Sequence, residues 1–312
     1  MSTSALPSLR QLRYLVDLAD RLNFRQAAEA SFVTQSTLSA GIKELENTMG
    51  VQLVERDTRR VRLTPVGEQV VARSRQLLAS AHDLMELAKG ASEPLSGLLG
   101  LGAIPTIAPF LLPALLPQLR RRHPRLRLYL REDLTERLLE RLRGGQLDMA
   151  IIALPYEVSD LLVRELFPDR FCFVARSDDP QASAATVPVK QLDPEKILLL
   201  EEGHCLRDHA IAACKARAPS EAGIEATSLN TLVQMVEGGI GVTLLPELAV
   251  NGGVLKGTHL VSRPFASQVP SRTVALVSRP SSARRADFDL LADFIIDFHK
   301  RTHERTSARQ AS

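Results

Sequence analysis

Between Leu9 and Met49 the apolar residues fall into three short helical runs with almost no chain between them, and that compactness leaves few folds open. Leu9, Leu12, Leu15, Val16, Ala19 and Leu22 recur at helical spacing. The pattern predicts a second helix over Phe24–Ala30 and a third over Gln35–Met49, opened by Thr34 as N-cap and ended by Gly50. In the third, Leu38, Ile42, Leu45 and Met49 share one face, with Gln35, Ser36, Ser39 and Lys43 opposite. Two short helices, a tight turn and a longer helix make a helix-turn-helix, whose last helix sets its N-terminal residues against base edges in the major groove. Thr34, Gln35, Ser36 and Thr37 would lie there, with Ser39 and Lys43 further along. Gln pairs with adenine, and Ser or Thr with several bases. Arg25, Arg59 and Arg60 suit phosphates. The pattern equally fits a small helical domain whose polar face is merely solvated.

Val51–Thr64 reads as a two-stranded wing, and Pro65 restarts a helix, since proline suits a first turn. That helix is expected to run to Lys89. Its stripe of Val66, Val70, Leu77, Ala81, Leu84 and Ala88 needs a partner, most simply a second copy of itself. GASEPLSG (90–97) is a hinge by composition. Beyond it, strands over 98–104, 126–130, 149–154, 171–175, 197–200, 242–245 and 274–277 alternate with helices over 108–123, 134–143, 230–237 and 288–299. That alternation predicts α/β structure with mostly parallel sheets.

A chain of 312 residues has room for two or three domains. With 45% hydrophobic and 24% charged residues it is ordinary globular protein. A net charge of +3 is too small to name a nucleic-acid binder by itself, so the placement of charge matters more. The first 25 residues carry no unbroken apolar run, and nothing approaches a bilayer span, so we expect a cytoplasmic protein without membrane contact. Gly238-Gly239-Ile240-Gly241 follows a helix rather than a strand, which argues against a dinucleotide site. No cofactor and no metal are expected.

The three cysteines, Cys172, Cys205 and Cys214, do not make a disulfide framework. Cys172, between two phenylalanines, reads as a strand residue. Cys205 lies in Glu201-Glu202-Gly203-His204-Cys205-Leu206-Arg207-Asp208-His209, ahead of a helical run. A helix N-terminus there, with charge from His204 and Arg207, would favour its thiolate. Peroxide would turn such a thiolate into a sulfenic acid, which a second thiol could capture. If 205–214 is one helix, Cys205 and Cys214 stand about 13–14 Å apart along its axis and about 180° around it. A disulfide needs Cα atoms within about 7 Å, so forming one would require the helix to melt. Inert thiols, and a zinc site of His204, Cys205, His209 and Cys214, are the alternatives at this point.

The run FRQAAEASFVTQSTLSAGIKELENTMGVQLVERDTRRVRLTPVGEQVV resembles the winged helix-turn-helix of LysR-type transcription regulators. Ala27-Ala28, Thr34-Gln35-Ser36, Leu38-Ser39, Ile42-Lys43, Leu53-Val54-Arg56 and Leu63-Thr64-Pro65-Gly67 carry the likeness without a gap over residues 9–70. The resemblance implies a winged helix-turn-helix at 1–64, a linker and dimerisation helix at 65–89, a hinge at 90–97, and an effector domain at 98–304. That effector domain would resemble periplasmic binding proteins, with two α/β subdomains, I (about 98–168 and 273–304) and II (about 169–272). A disordered tail is expected over 305–312. Within the family, Gly203-His204-Cys205-Leu206-Arg207-Asp208 is similar to the motif of the peroxide-sensing members. The likeness implies that Cys205 reacts with peroxide and Cys214 resolves it, with Thr106, Thr135, His204, Asp208 and Arg272 around the peroxide. It further implies double-stranded operator DNA, a homodimer or homotetramer, RNA polymerase, and a glutaredoxin- or thioredoxin-type reductant as partners, with no enzymatic turnover. A regulator answering a small organic effector in the inter-subdomain cleft, and a thiol peroxidase fused to a DNA-binding domain, are the competing readings.

Overall fold

The computed structural model describes residues 6–56, 61–88, 93–214, 225–266 and 271–310, in two compact units. In the first, α1 (Leu9–Arg21), α2 (Phe24–Ala30) and α3 (Gln35–Met49) are followed by the antiparallel strands β1 (Val54–Arg56) and β2 (Val61–Leu63). Ser8 and Gln11 form a reciprocal capping box that starts α1. Leu15, Leu18, Ala27, Leu38, Ile42, Leu45 and Leu53 are fully buried together, so the apolar faces read from spacing make one core. The helices cross closely: a β-carbon on Gly41 would meet the Tyr14 ring at 2.7 Å. The Glu46 carboxylate accepts from the Leu53 and Val54 amides at 2.9 and 3.0 Å, which ties α3 to the wing.

Helix α4 spans Pro65–Ala88, capped by Thr64, whose Oγ1 accepts from Gly67 N at 2.9 Å. Val71 and Ser74 are buried, whereas Val66, Leu77 and Leu84 are exposed. Of the stripe expected to need a partner, Val66, Leu77 and Leu84 are thus open to solvent within this chain, while Val70 packs against the core of the first unit.

The second unit holds a seven-stranded sheet in the order β10-β6-β11-β5-β3-β4, with β9 also paired to β6. The strands are β3 (Gly97–Ala103), β4 (Leu126–Glu132), β5 (Met149–Leu154), β6 (Leu162–Arg176), β9 (Thr243–Pro246), β10 (Leu260–Pro264) and β11 (Ser271–Ser278); short β7 (Leu199–Leu200) and β8 (Glu225–Ala226) pair separately. Helices are α5 (Ala108–Arg122), α6 (Thr135–Arg143), α7 (Cys205–Cys214), α8 (Leu229–Glu237), α9 (Glu247–Asn251) and α10 (Arg285–Gln310). Two hydrophobic cores result. One lies around Leu99, Ile151, Leu276 and Leu291, the other around Phe171, Phe173, Val236 and Leu244.

The sheet is mixed rather than mostly parallel. Pairs β3–β4, β3–β5 and β7–β8 are parallel, but β6 runs antiparallel to β9, β10 and β11, and β5 antiparallel to β11. The physical reason is that β6 leaves the first core for the second and β11 returns beside it. The sequence pattern finds only the end of β6, because Arg164, Glu165, Pro168 and Asp169 interrupt its apolar run. A bulge opposite Val274/Ala275 lets the adjacent Leu166 and Phe167 both be buried. At the C-terminus α10 continues to Gln310.

Candidate functional site

The exposed end of α3 is built by its cap. Thr34 Oγ1 accepts from Thr37 N at 3.2 Å and lies 2.9 and 2.8 Å from the Ser36 and Thr37 hydroxyls. Thr34 therefore acts first as the cap that holds this turn. Gln35, Ser36, Thr37 and Lys43 are exposed, and Ser39 is half-buried on the flank. Arg25 is exposed on α2, with Nε donating to Glu29 at 3.1 Å. Arg59 and Arg60 lie outside the described residues. Replacing Thr34 by Ala is expected to lower the stability of the helix-turn-helix by about 1 kcal/mol, the usual value of an N-cap side chain. Denaturant unfolding of the full chain, followed by amide exchange in α3, checks this; unchanged protection of the first turn would remove the cap's role.

The second constellation lies in the effector unit. Gly203, at φ +93, turns the chain into α7, whose first residue is Cys205. Cys205 is 6% exposed and packs in the first core, while Leu206 and Ala210 of the same helix pack in the second. Before the thiol is a cavity of about 10 Å³ lined by Ile104, Pro105, Thr106, Leu134, Thr135, Gly203, His204 and Cys205. That is room for roughly one water-sized molecule. The Thr135 hydroxyl is buried there without a close hydrogen-bond partner among the described residues, yet it lies near enough to the sulfur to favour its thiolate.

Arg272 is fully buried on β11. Its Nη1 donates to Thr106 Oγ1 at 2.8 Å and its Nη2 to Thr106 O at 3.1 Å, while Nε donates to Asp169 Oδ2 at 3.0 Å. The other Asp169 oxygen accepts from Leu248 N at 2.9 Å, at the start of α9. Burial pushes the Cys205 thiol up; the Arg272 charge and the Thr135 hydroxyl pull it down, and Asp208 pushes it up again.

These contacts correct the assignment of charge made from the sequence. Arg207 turns away, bonded to Leu200 O and the Glu225 carboxylate. His204 is buried, which lowers its pKa and keeps it neutral near pH 7, against an opposing pull from Glu201 and the Thr227 backbone. The cation acting on Cys205 is Arg272. Asp208 is exposed, and its charge disfavours a thiolate, so it has no electrostatic part in stabilising one. Asp169, in Leu-Phe-Pro-Asp-Arg-Phe, is a site residue that sequence reasoning missed, because nothing in that stretch marks its partner Arg272.

Cys214 closes α7; its side chain lies outside the described part of the structure. With α7 continuous from Cys205 to Cys214, the two positions are separated as the nine-step spacing requires. His209 turns to Pro155 O at 3.3 Å, and among the described residues no group of three His, Cys, Asp or Glu comes together as a metal site would.

Residues 9–68 match the family described as bacterial regulatory helix-turn-helix protein, lysR family, and residues 92–300 match the LysR substrate binding domain. The chain belongs to the LysR family of DNA-binding transcription regulators. It is 48% identical over 293 residues to the HTH-type transcriptional regulator EstR of Acinetobacter baylyi, covering 94% of this chain and 97% of that one. It is 41% identical over 289 residues to the DNA-binding transcriptional dual regulator OxyR of Escherichia coli K12, covering 92% and 94%. A full-length OxyR from Pseudomonas aeruginosa superimposes with a TM-score of 0.79 at 41% identity, over 93% of this chain and 95% of that chain. A cysteine mutant of Corynebacterium glutamicum OxyR, H2O2-bound, gives a TM-score of 0.67 at 32% identity, over 99% and 97%. This LysR-family chain therefore has an N-terminal helix-turn-helix and a C-terminal substrate-binding-type domain like that of OxyR. No helix among the described residues is long and apolar enough to cross a membrane.

Proposed function

We propose that this LysR-family regulator senses hydrogen peroxide through Cys205 and controls oxidative-stress genes accordingly. The observation that carries the reading is the small cavity in which Cys205 meets Thr106, Thr135 and His204, with the charge of Arg272 acting on the thiol. Its volume is far below the ~300–1,000 Å³ of a typical organic-ligand pocket, which suits a small oxidant better than an organic effector. The Cys205 thiolate attacks one peroxide oxygen: an S–O bond forms, the O–O bond breaks, and the departing oxygen takes a proton and leaves as water. Thr106, Thr135, His204 and Arg272 hold the peroxide and the developing charge. Cys214 then attacks the sulfenic sulfur, releasing a second water and leaving a disulfide. A glutaredoxin- or thioredoxin-type dithiol returns both cysteines to thiols, so the protein is reset rather than turning over as an enzyme.

DNA contact falls to Thr34, Gln35, Ser36, Thr37, Ser39 and Lys43 along α3, with Arg25, Arg59 and Arg60 on phosphates. The open stripe of α4 pairs two copies, and dimers combine into a tetramer that acts on RNA polymerase from operator DNA in the cytoplasm. The chain divides at 64/65, 89/90 and 97/98, with the effector subdomains meeting near 168/169 and 272/273.

Cys205→Ser is the test. Peroxide-driven transcription from a cognate promoter is expected to vanish, with DNA binding within about twofold of wild type. Mass spectrometry after one equivalent of peroxide is expected to show the unsubstituted protein two hydrogens lighter and Cys205 joined to Cys214. The likeness to EstR, whose name carries no reference to peroxide, favours a second reading: a small organic effector in the inter-subdomain cleft. A serine variant that still answers its inducer would make that the function.

A further inference from the structure

We infer that Phe32 is a DNA-contacting residue, its ring laid against the apolar wall of the major groove beside α3. Phe32 is 92% exposed, the barest large hydrophobic side chain among the described residues. It also has φ +54, in the left-handed region that side-chain-bearing residues avoid. Its backbone is pinned there: Phe32 N donates to Glu29 O at 3.2 Å and Val33 N to Ala28 O at 3.0 Å. Those two bonds make a Schellman ending for α2, and the residue at this left-handed position is most often glycine.

Three non-glycine residues among those described have positive φ, and the other two have a reason in the fold. Leu95 is 2% exposed and packs in the first effector core, and Leu22 keeps about half its surface covered as the cap of α1. Phe32 has neither glycine's freedom nor a packing site. Its position supplies what the fold does not. It precedes the cap Thr34 by two residues and Gln35 by three, hence lies within roughly 10 Å of the end of α3 that enters the groove. The major groove is about 12 Å wide, so a ring there meets the deoxyribose faces and thymine methyls that border it. An apolar surface of this kind recognises DNA without a charge.

The test uses the full-length chain and a duplex that the wild-type protein selects from a random-sequence pool. Phe32→Asn, which suits the left-handed position, is expected to leave the unfolding midpoint unchanged or higher. It is expected to weaken binding about tenfold, with the slope of log affinity against log salt unchanged, because no phosphate contact is lost. Phe32→Leu keeps apolar surface and recovers part of the loss. Uracil in place of thymine distinguishes the two groove chemistries: a loss confined to the wild-type chain assigns the ring to a methyl, and no loss assigns it to the sugar. Unchanged affinity in Phe32→Asn overturns the inference, as does weaker binding that tracks a fall in oligomeric state.

Discussion

Replacing Arg272 by Ala is expected to destabilise the effector unit by about 3–5 kcal/mol, the range for removing one partner of a buried ion pair. The side chains of Arg272 and Asp169 are 0% and 2% exposed. Without the guanidinium, the Asp169 carboxylate keeps only the Leu248 amide among the bonds described above, and Thr106 loses the donors to its hydroxyl and its carbonyl. The loss combines an uncompensated charge with unmade hydrogen bonds. Urea unfolding of the full chain reads it as a lower midpoint for the effector transition. The double change Arg272→Met with Asp169→Leu is expected to recover most of the loss, because it removes the charge along with its partner. An alanine variant as stable as the wild type would mean that the pair is not shielded from water. The same substitution should slow oxidation of Cys205, since it deletes the main charge favouring the thiolate.

The other large effect is on α7. If peroxide joins Cys205 to Cys214, the helix between them cannot persist, because its ends are about twice as far apart as a disulfide permits. Amide exchange of the oxidised full-length protein is therefore expected to lose protection across the ten residues of α7, while α8 and β11 keep theirs. The loss should reverse on reduction with a dithiol. Unwinding also uncouples Cys205 from the first core and Leu206 and Ala210 from the second, so a local bond change reaches both halves of the unit. Both thiols consumed with α7 fully protected would end the proposed switch.

Much of the fold is legible in the amino-acid sequence alone. α1, α2 and α3 are local structures: their caps Ser8, Asn23 and Thr34 and their periodic leucines specify them within a few turns of chain. The strands β3 and β5, and helices α5, α6 and α8, likewise follow continuous apolar patterns. What escaped is what long-range partners decide. The first half of β6 looks polar because Arg164 and Asp169 find partners far along the chain, at Asp293 and Arg272. Strand β10 is held by β6, and its own sequence offers little pattern. At the thiol, resemblance points to Thr106, Thr135 and Arg272 around the peroxide, but the charge that favours the thiolate is read from sequence neighbours. His204 and Arg207 stand next to Cys205 in the chain, whereas the charge that matters comes from Arg272, brought in by β11. Asp169 was invisible because a lone carboxylate on a strand announces nothing until its partner is known.

The bulge in β6 has a consequence for what this domain tolerates. Side chains alternate along a strand, so the extra residue at Leu166 resets which face every later residue takes. Phe171 and Phe173 point inward only because that offset lies upstream of them. One residue inserted or deleted between the bulge and Phe171 would turn both rings to the opposite face, where Cys172 and Val174 now lie, and carry Arg170 to the face the rings occupy. Phase along this shared ribbon thus binds the two cores to a fixed count of residues, even though neither core touches most of them.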